Sequence, residues 1–315
     1  MATIGLVAPP SRHGLGTSAD LVARVLGDAG HDVRRHVTDE PPPAQARFDL
    51  VILMEVLVEH WLGVGAPTAL IPNPEWFLDE FVGLLDGVDV VFAKTHDAVA
   101  AFEALGCQVE FTRFTSRDRW LPAVGRDPRS FLHVAGKSHQ KGTNTLVDVW
   151  AANRDFPRLT IVRTRPRLSR RRMPRHVTLL DEYLPDGWLQ VLQNRAAVHV
   201  CPSEAEGWGH HIVEGLSVGA VVVTTDAPPM NEILRPDRGI LCAYRSSAQQ
   251  RLGTAYQVDP DALAAAVRAT LERDPAELAR LGRRARSFFL ENDADFRQRL
   301  VAAVNRLVPS GSQSG

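Results

Sequence analysis

The 315-residue chain is punctuated by nine apolar runs of only four to six residues. Four lie in the first half, at residues 3–7, 49–54, 67–71 and 88–92, and five follow at residues 131–135, 159–163, 177–180, 197–201 and 220–224. Runs this short, bounded by Gly, Pro or charged residues, read as buried strands of a parallel sheet. Helical stripes alternate with them. Residues 17–29 place Leu21, Val22, Val25 and Leu26 on one face, open on a capping Thr17 or Ser18 and stop at Gly30. Residues 142–153 and 210–218 show the same period. Strand, helix, strand in repetition specifies doubly wound α/β sheets.

A basic, turn-rich bridge (residues 113–128) interrupts the rhythm once. The expected architecture is therefore α/β with two doubly wound Rossmann-like domains, 1–118 and 119–290, facing a central cleft at the carboxyl ends of their strands. Residues 259–307 read as purely helical, with breaks at Pro275 and Asn292. The piece at 291–308 is expected to be a C-terminal helix packing back toward the N-terminal domain, and 309–315 a disordered tail.

Composition narrows the class. With 44% hydrophobic and 23% charged residues, the chain is globular rather than disordered. It has no apolar run of about eighteen residues, and its first ten lack a signal-peptide pattern, so the expected location is cytoplasmic without membrane insertion. Three scattered cysteines, Cys107, Cys201 and Cys242, suit buried thiols rather than a disulfide frame or zinc site. The overall charge of −1 conceals an asymmetry: residues 1–118 hold 8 basic and 17 acidic side chains, the remainder 28 and 20. The second part is thus the one suited to phosphates.

One segment concentrates polar chemistry. Residues 201–214 (CPSEAEGWGHHIVE) leave a strand, pass through glycines and enter a helix, with Glu206 and Glu214 on either side of its start. The opening amides of a helix lack intrahelical partners and carry partial positive charge, so those of Gly207, Trp208, Gly209 and His210 suit a phosphate. Two carboxylates beside a phosphate site need hydroxyls to bind, which points to a nucleotide sugar. A second strand-to-helix loop, Gly136-Lys137-Ser138-His139-Gln140-Lys141-Gly142, offers two lysines four apart for a diphosphate. It lacks the order of a P-loop.

In order and spacing, Gly136-Lys137…Lys141-Gly142, Pro202-Ser203-x-x-Glu206-Gly207-Trp208-Gly209…Glu214 and the strand 221–226 followed by Asn231-Glu232 resemble the retaining glycosyltransferases of the GT-B fold, specifically family 4. The likeness spans residues 131–307 and is looser before them. It implies an enzyme, a hexosyltransferase moving sugar from a nucleoside diphosphate to an acceptor hydroxyl without a metal or other cofactor. By the same resemblance, Lys137 and Lys141 neutralise the diphosphate, Lys137 standing where an Arg is usual. Gly207, Trp208 and Gly209 complete the phosphate cradle, and Gly136 and His210 border it. Glu206 meets the transferred sugar, Glu214 the ribose, and Tyr183 and Leu184 the base. His210-His211 and Pro228-Pro229 depart from the family's Leu-Pro and Gly-Gly, and both touch the sugar pocket.

Other signals are weighed beside this one. Adjacent His210 and His211 point about 100° apart on a helix and make a poor metal pair. Asp259-Pro-Asp261 and Asp293-Ala-Asp295 read as helix caps, so no metal site is expected. Gly14-x-Gly16-x-x-Ala19 with Asp39 imitates a dinucleotide fingerprint, but residues 9–13 intrude between strand and glycines, favouring a glycine loop at the cleft. His13, Asn73, Glu75, Lys94 and His96, with Gly14 and Gly16, are the acceptor-side candidates, all at strand ends or in loops. The acidic first half suits a soluble acceptor, a cationic small molecule or a protein segment. The arginines at 163, 165, 167, 170, 171, 172 and 175 form a basic cluster that reads as a solvated loop or, less simply, a seat for a phosphate-bearing partner such as nucleic acid. Three alternatives to the main reading stay open: a non-catalytic nucleotide-sugar binder, an NAD-dependent oxidoreductase using the Gly14/Gly16 loop, and sugar transfer to nucleic acid.

Overall fold

A computed structural model describes residues 1–10, 14–164 and 173–308. The chain forms two compact units. The first comprises Met1–Ser116, Gln249–Gly253 and the chain from Asn292; the second comprises Arg117–Ala248 and Thr254–Glu291. The sequence reading set the division at residue 118 and did not foresee the short 249–253 piece.

In the first unit the elements run β1 (Thr3–Ala8), α1 (Gly14–Asp28), β2 (Asp32–Val37), β3 (Leu50–Met54), β4 (Thr68–Ile71), β5 (Val90–Ala93), α2 (His96–Glu103) and β6 (Val109–Phe111), with 3-10 turns at Glu59–Trp61, Pro74–Trp76 and Asp79–Gly87. The six strands form one parallel sheet in the order β2-β1-β3-β4-β5-β6. Every side chain of β3 is buried, as expected for a central strand covered on both faces. Val7, Val51, Leu53, Leu70 and Val91 pack with Trp61, Phe77 and Phe102 in one core.

The second unit repeats the plan with β7 (Asp127–Gly136), α3 (Thr143–Ala152), β8 (Leu159–Arg163), β9 (Val177–Leu180), α4 (Asp186–Arg195), β10 (Ala196–Cys201), α5 (His210–Ser217), β11 (Val221–Thr225), α6 (Met230–Ile233) and β12 (Ile240–Cys242). A two-stranded hairpin follows, β13 (Tyr244–Gln250) and β14 (Gly253–Val258), then α7 (Pro260–Glu272) and α8 (Pro275–Leu307). Its sheet is also parallel, ordered β12-β11-β10-β7-β8-β9. Leu146, Trp150, Val198, Val200 and Val223 anchor the larger core. Leu132, Val162 and Ala196 anchor a smaller one. All nine apolar runs are strands.

Three local expectations are corrected. Gly14 and Gly16 lie in the first turn of α1 rather than in a loop. Asn292 does not break the last helix: α8 continues through it, and its buried side-chain amide donates to the Phe114 carbonyl at 2.7 Å. Asp293 and Asp295 are therefore mid-helix residues, not caps. Asp293 accepts from Thr115 and Arg297, and Asp295 pairs with Arg113 and Arg299. Asp259 does cap α7, accepting from the amides of Asp261 and Ala262. His13, the arginines at 165–172 and the tail at 309–315 lie outside the described residues. Among the described residues no helix is long and apolar enough to cross a membrane, and no three His, Cys, Asp or Glu side chains group as a metal site would need.

Candidate active site

The second sheet reverses its winding between β7 and β10: β8 and β9 are added on one side, β11 and β12 on the other. Loops leaving adjacent carboxyl ends at such a reversal open a crevice, the usual ligand position in parallel α/β sheets. Residues 137–142 and 202–209 are the two loops that leave there. Gly142 lets them meet. It caps α3 in the left-handed region (φ 64°, ψ 19°), and a Cβ there would stand 2.0 Å from the Pro202 carbonyl oxygen. The Glu204 amide donates to the Gln140 carbonyl at 2.7 Å, closing the contact. Gly215 has the parallel role on α5, where a Cβ would sit 2.9 Å from Val222 and 3.0 Å from the His199 ring. This seats α5 tightly on β10 and β11.

Within the crevice Lys141 Nζ donates to Glu206 Oε1 at 2.5 Å and to His211 Nδ1 at 3.3 Å. Glu206 and His211 are both buried, and the His211 ring lies 3.8 Å from the same carboxylate oxygen. Burial, reinforced by the nearby Lys141 cation, holds the His211 pKa well below 6.5. The ring is therefore neutral near pH 7. With Nδ1 facing an ammonium donor, its proton sits on Nε2, which donates to Ser203 Oγ at 3.1 Å. Behind it, burial lowers His133 to about 4. Its Nδ1–H reaches the Val200 carbonyl at 2.7 Å and its Nε2 faces the Thr143 hydroxyl at 2.9 Å.

Glu214, one turn along α5, is held separately. Gln193 Nε2 donates to its Oε2 at 2.7 Å, while Gln193 Oε1 accepts from Arg119 Nε at 2.8 Å. The buried Arg119 in turn grips both carboxylate oxygens of Asp186 at 2.8 Å. Burial raises the Glu214 pKa, and the Arg119 charge and the Gln193 hydrogen bond oppose that rise. The amides at the start of α5 follow Gly209, which caps the helix at φ 80° and ψ 55°. Helix geometry leaves them outside the internal ladder.

Of the residues singled out by sequence, Lys141, Glu206, Gly207, Trp208, Gly209, His210 and Glu214 thus gather on two adjoining loops and one helix start. Gly136 ends β7 in the left-handed region (φ 56°), and Lys137 is exposed beyond it. Tyr183 is 74% exposed past β9, whereas Leu184 packs against the Leu132 cluster. In the first unit Glu75 and Lys94 are buried at the carboxyl ends of β4 and β5. Lys94 donates to Asn73 at 2.6 Å and Glu55 at 3.4 Å, and His96 stacks on Phe111. Sequence reasoning missed Glu55, whose φ of 69° is unusual for a non-glycine residue. It also missed Gln193 and Arg119, which belong to no spaced motif, and the roles of Ser203 and His211 within theirs.

Residues 128–273 match the family model described as Glycosyl transferases group 1. These residues resemble a glycosyltransferase domain. The motif loops, 137–142 and 202–209, both fall inside the matched span. The whole chain is similar to sucrose-phosphate synthase from Thermosynechococcus elongatus (TM-score 0.73, 16% identity, 98% of this chain and 99% of that one). It is also similar to Anabaena Alr3699/HepE, solved in complex with UDP-glucose (TM-score 0.74, 14% identity, 98% and 100%). A third likeness is to an Escherichia coli structure titled trehalose-6-phosphate, bound with UDP-2-fluoro glucose (TM-score 0.71, 12% identity, 97% and 99%). At these identities the likeness is one of fold, and the fold is GT-B, as the sequence resemblance implies. No curated protein matches by sequence.

Proposed function

We propose that this chain is a glycosyltransferase that takes its sugar from a UDP-linked donor and transfers it with retention, without a metal, to a soluble acceptor. The observation that carries the reading is the Lys141–Glu206 pair at the β7–β10 reversal, beside the first amides of α5. That arrangement offers a cation and backbone donors for a diphosphate and a buried carboxylate for sugar hydroxyls. The uridine assignment is supported by the two structural relatives that hold UDP-sugars.

In this reading Lys141, with Lys137 at the rim and the amides of residues 207–209, stabilises the charge that grows on the leaving diphosphate as the glycosidic C–O bond lengthens. Glu206 accepts from hydroxyls of the transferred sugar. Glu214 accepts from ribose hydroxyls through Oε1, the oxygen that Gln193 does not hold. Tyr183 and Leu184 border the base. No protein base is needed on the donor side, because the departing phosphate can take the acceptor proton as the new bond forms on the same face. On the acceptor side Lys94, Asn73 and Glu75 are the candidate contacts, with Glu55 added by its proximity to Lys94.

The test is a thermal-shift panel of UDP-, GDP-, ADP- and dTDP-glucose on the wild type and Lys141→Ala, followed by UDP-release assays with candidate acceptors. Stabilisation by UDP-glucose that Lys141→Ala abolishes is the expected result. An equal response to all four nucleotides, or one indifferent to Lys141→Ala, would overturn the assignment.

A further inference from the structure

The sequence departs from the resembling family at His210-His211, and the structure gives the second of these histidines a defined position. His211 is buried, and among the described residues the hydrogen-bond partners of the Lys141 ammonium are Glu206 and His211. An ammonium carries three N–H groups and no acceptor. With one directed to a carboxylate and one to an imidazole lone pair, its rotation about the Cε–Nζ bond is fixed and the third hydrogen has a set direction. Without the imidazole, Lys141 would keep only the Glu206 contact, about which the ammonium can swing.

We infer that His211 is a positioning residue: its Nδ1 lone pair and the Glu206 carboxylate together aim the remaining Lys141 N–H at the donor diphosphate, and Ser203 accepts from the Nε2–H of the tautomer that makes this possible. The inference rests on the donor-site reading above. Each link is geometric. The Lys141 ammonium can only donate, so Nδ1, 3.3 Å from Nζ, is the acceptor and Nε2 carries the proton, which Ser203 Oγ accepts at 3.1 Å. Ser203 is itself fully buried and its carbonyl accepts from Thr225 at 2.7 Å, which anchors the residue through its backbone to β11. The His211 ring cannot turn over without losing both contacts. Selectivity for a diphosphate over a monophosphate then depends on an imidazole that need not touch the nucleotide.

Two measurements on the full chain test this. The first is the imidazole ¹⁵N spectrum of the nucleotide-free protein at pH 7, with His211→Gln used to assign the His211 signals. The expected pattern is the neutral Nε2–H tautomer, with the Nδ1 resonance moving in Lys141→Ala. A cationic ring or an Nδ1–H tautomer would overturn the inference, since neither can accept from Lys141. The second is calorimetric titration with UDP and UMP. In His211→Leu the preference for UDP over UMP falls about tenfold, the loss of one charge-assisted hydrogen bond, while His211→Gln, which can accept from Lys141 and donate to Ser203, stays within about threefold of wild type. Undiminished UDP preference in a folded His211→Leu protein refutes the positioning role. If His211→Leu does not fold, the tautomer decides alone. If the wild type binds neither nucleotide, the donor-site reading is what fails, and the tautomer still reports whether His211 serves Lys141.

Discussion

Replacing Gly142 with alanine should damage the site more than its distance from any reacting atom suggests. The added Cβ meets two obstacles. A left-handed backbone at φ 64° costs an alanine about 1–2 kcal/mol relative to glycine. The Cβ would also stand 2.0 Å from the Pro202 carbonyl oxygen, about 1.4 Å inside ordinary contact. That neighbour is backbone, so one loop must retreat by roughly an ångström, and the Glu204–Gln140 amide bond that joins the loops at 2.7 Å goes with it, a further loss of about 1 kcal/mol. Together these give roughly 2–3 kcal/mol, or a melting shift of about 5–10 °C for a unit of this size. A displacement of that order between Lys141 and Glu206 lowers turnover by about a hundredfold. The assay is paired: thermal unfolding by circular dichroism, and UDP release with an identified acceptor. Gly27→Ala serves as control, because Gly27 is helical and has no atom within 4 Å of an added Cβ. It should be neutral or stabilising by up to about 1 kcal/mol. A Gly142→Ala protein that melts within a degree or two of wild type and keeps its turnover would refute the close-approach argument.

Two further outcomes follow from charge. Burial raises the folded-state pKa of Glu214 above its unfolded value, so its contribution to stability is full below about 4.5 and lost as pH rises through the folded value. Glu214→Gln should therefore melt higher than wild type at pH 7 while binding UDP more weakly; lower stability together with weaker binding would contradict the sign. His133 and His199 behave oppositely. Burial depresses both to about 4, so their neutral forms favour the fold above pH 6.5 and that advantage is lost as pH falls toward 4, at roughly 1.4 kcal/mol per pH unit for each ring. Urea midpoints between pH 7 and 4 should drop steeply in the wild type and less steeply in His199→Gln, whose amide can still donate to the Gln193 carbonyl; equal slopes would remove His199 from the account.

What the sequence made legible follows burial. Central strands such as β3 and β11 are apolar on both faces because helices cover both, so each announces itself as a short run. Of the edge strands, β9 keeps its run, but β2, β6 and β12 do not. β2 is Asp-Val-Arg-Arg-His-Val with its middle exposed, and β6 and β12 are three residues each; charge and brevity protect an edge and erase its apolar signature. The hairpin of β13 and β14 is exposed along most of its first strand and offers no apolar run for the same reason. Asn292 misled because a buried side-chain amide looks, in sequence, like a stop signal. In the candidate site, the residues tied to spaced glycines and acids are the ones whose gathering the sequence foresaw. Gln193 and Arg119 were not foreseen, because they act on Glu214 from another helix and the interunit bridge, separations that no local spacing records.

The short contact between Lys141 and Glu206 also bears on what the crevice ignores. A cation already neutralised by an internal carboxylate attracts a bare anion weakly, since capturing inorganic phosphate would strand Glu206 as a buried, uncompensated charge. A molecule that brings phosphate oxygens for the lysine and hydroxyls for the glutamate replaces both halves of the pair at once. In the proposed donor site the resting ion pair would therefore act as a coincidence requirement, screening out the abundant small anions of a cell and admitting ligands in which phosphate and sugar are joined.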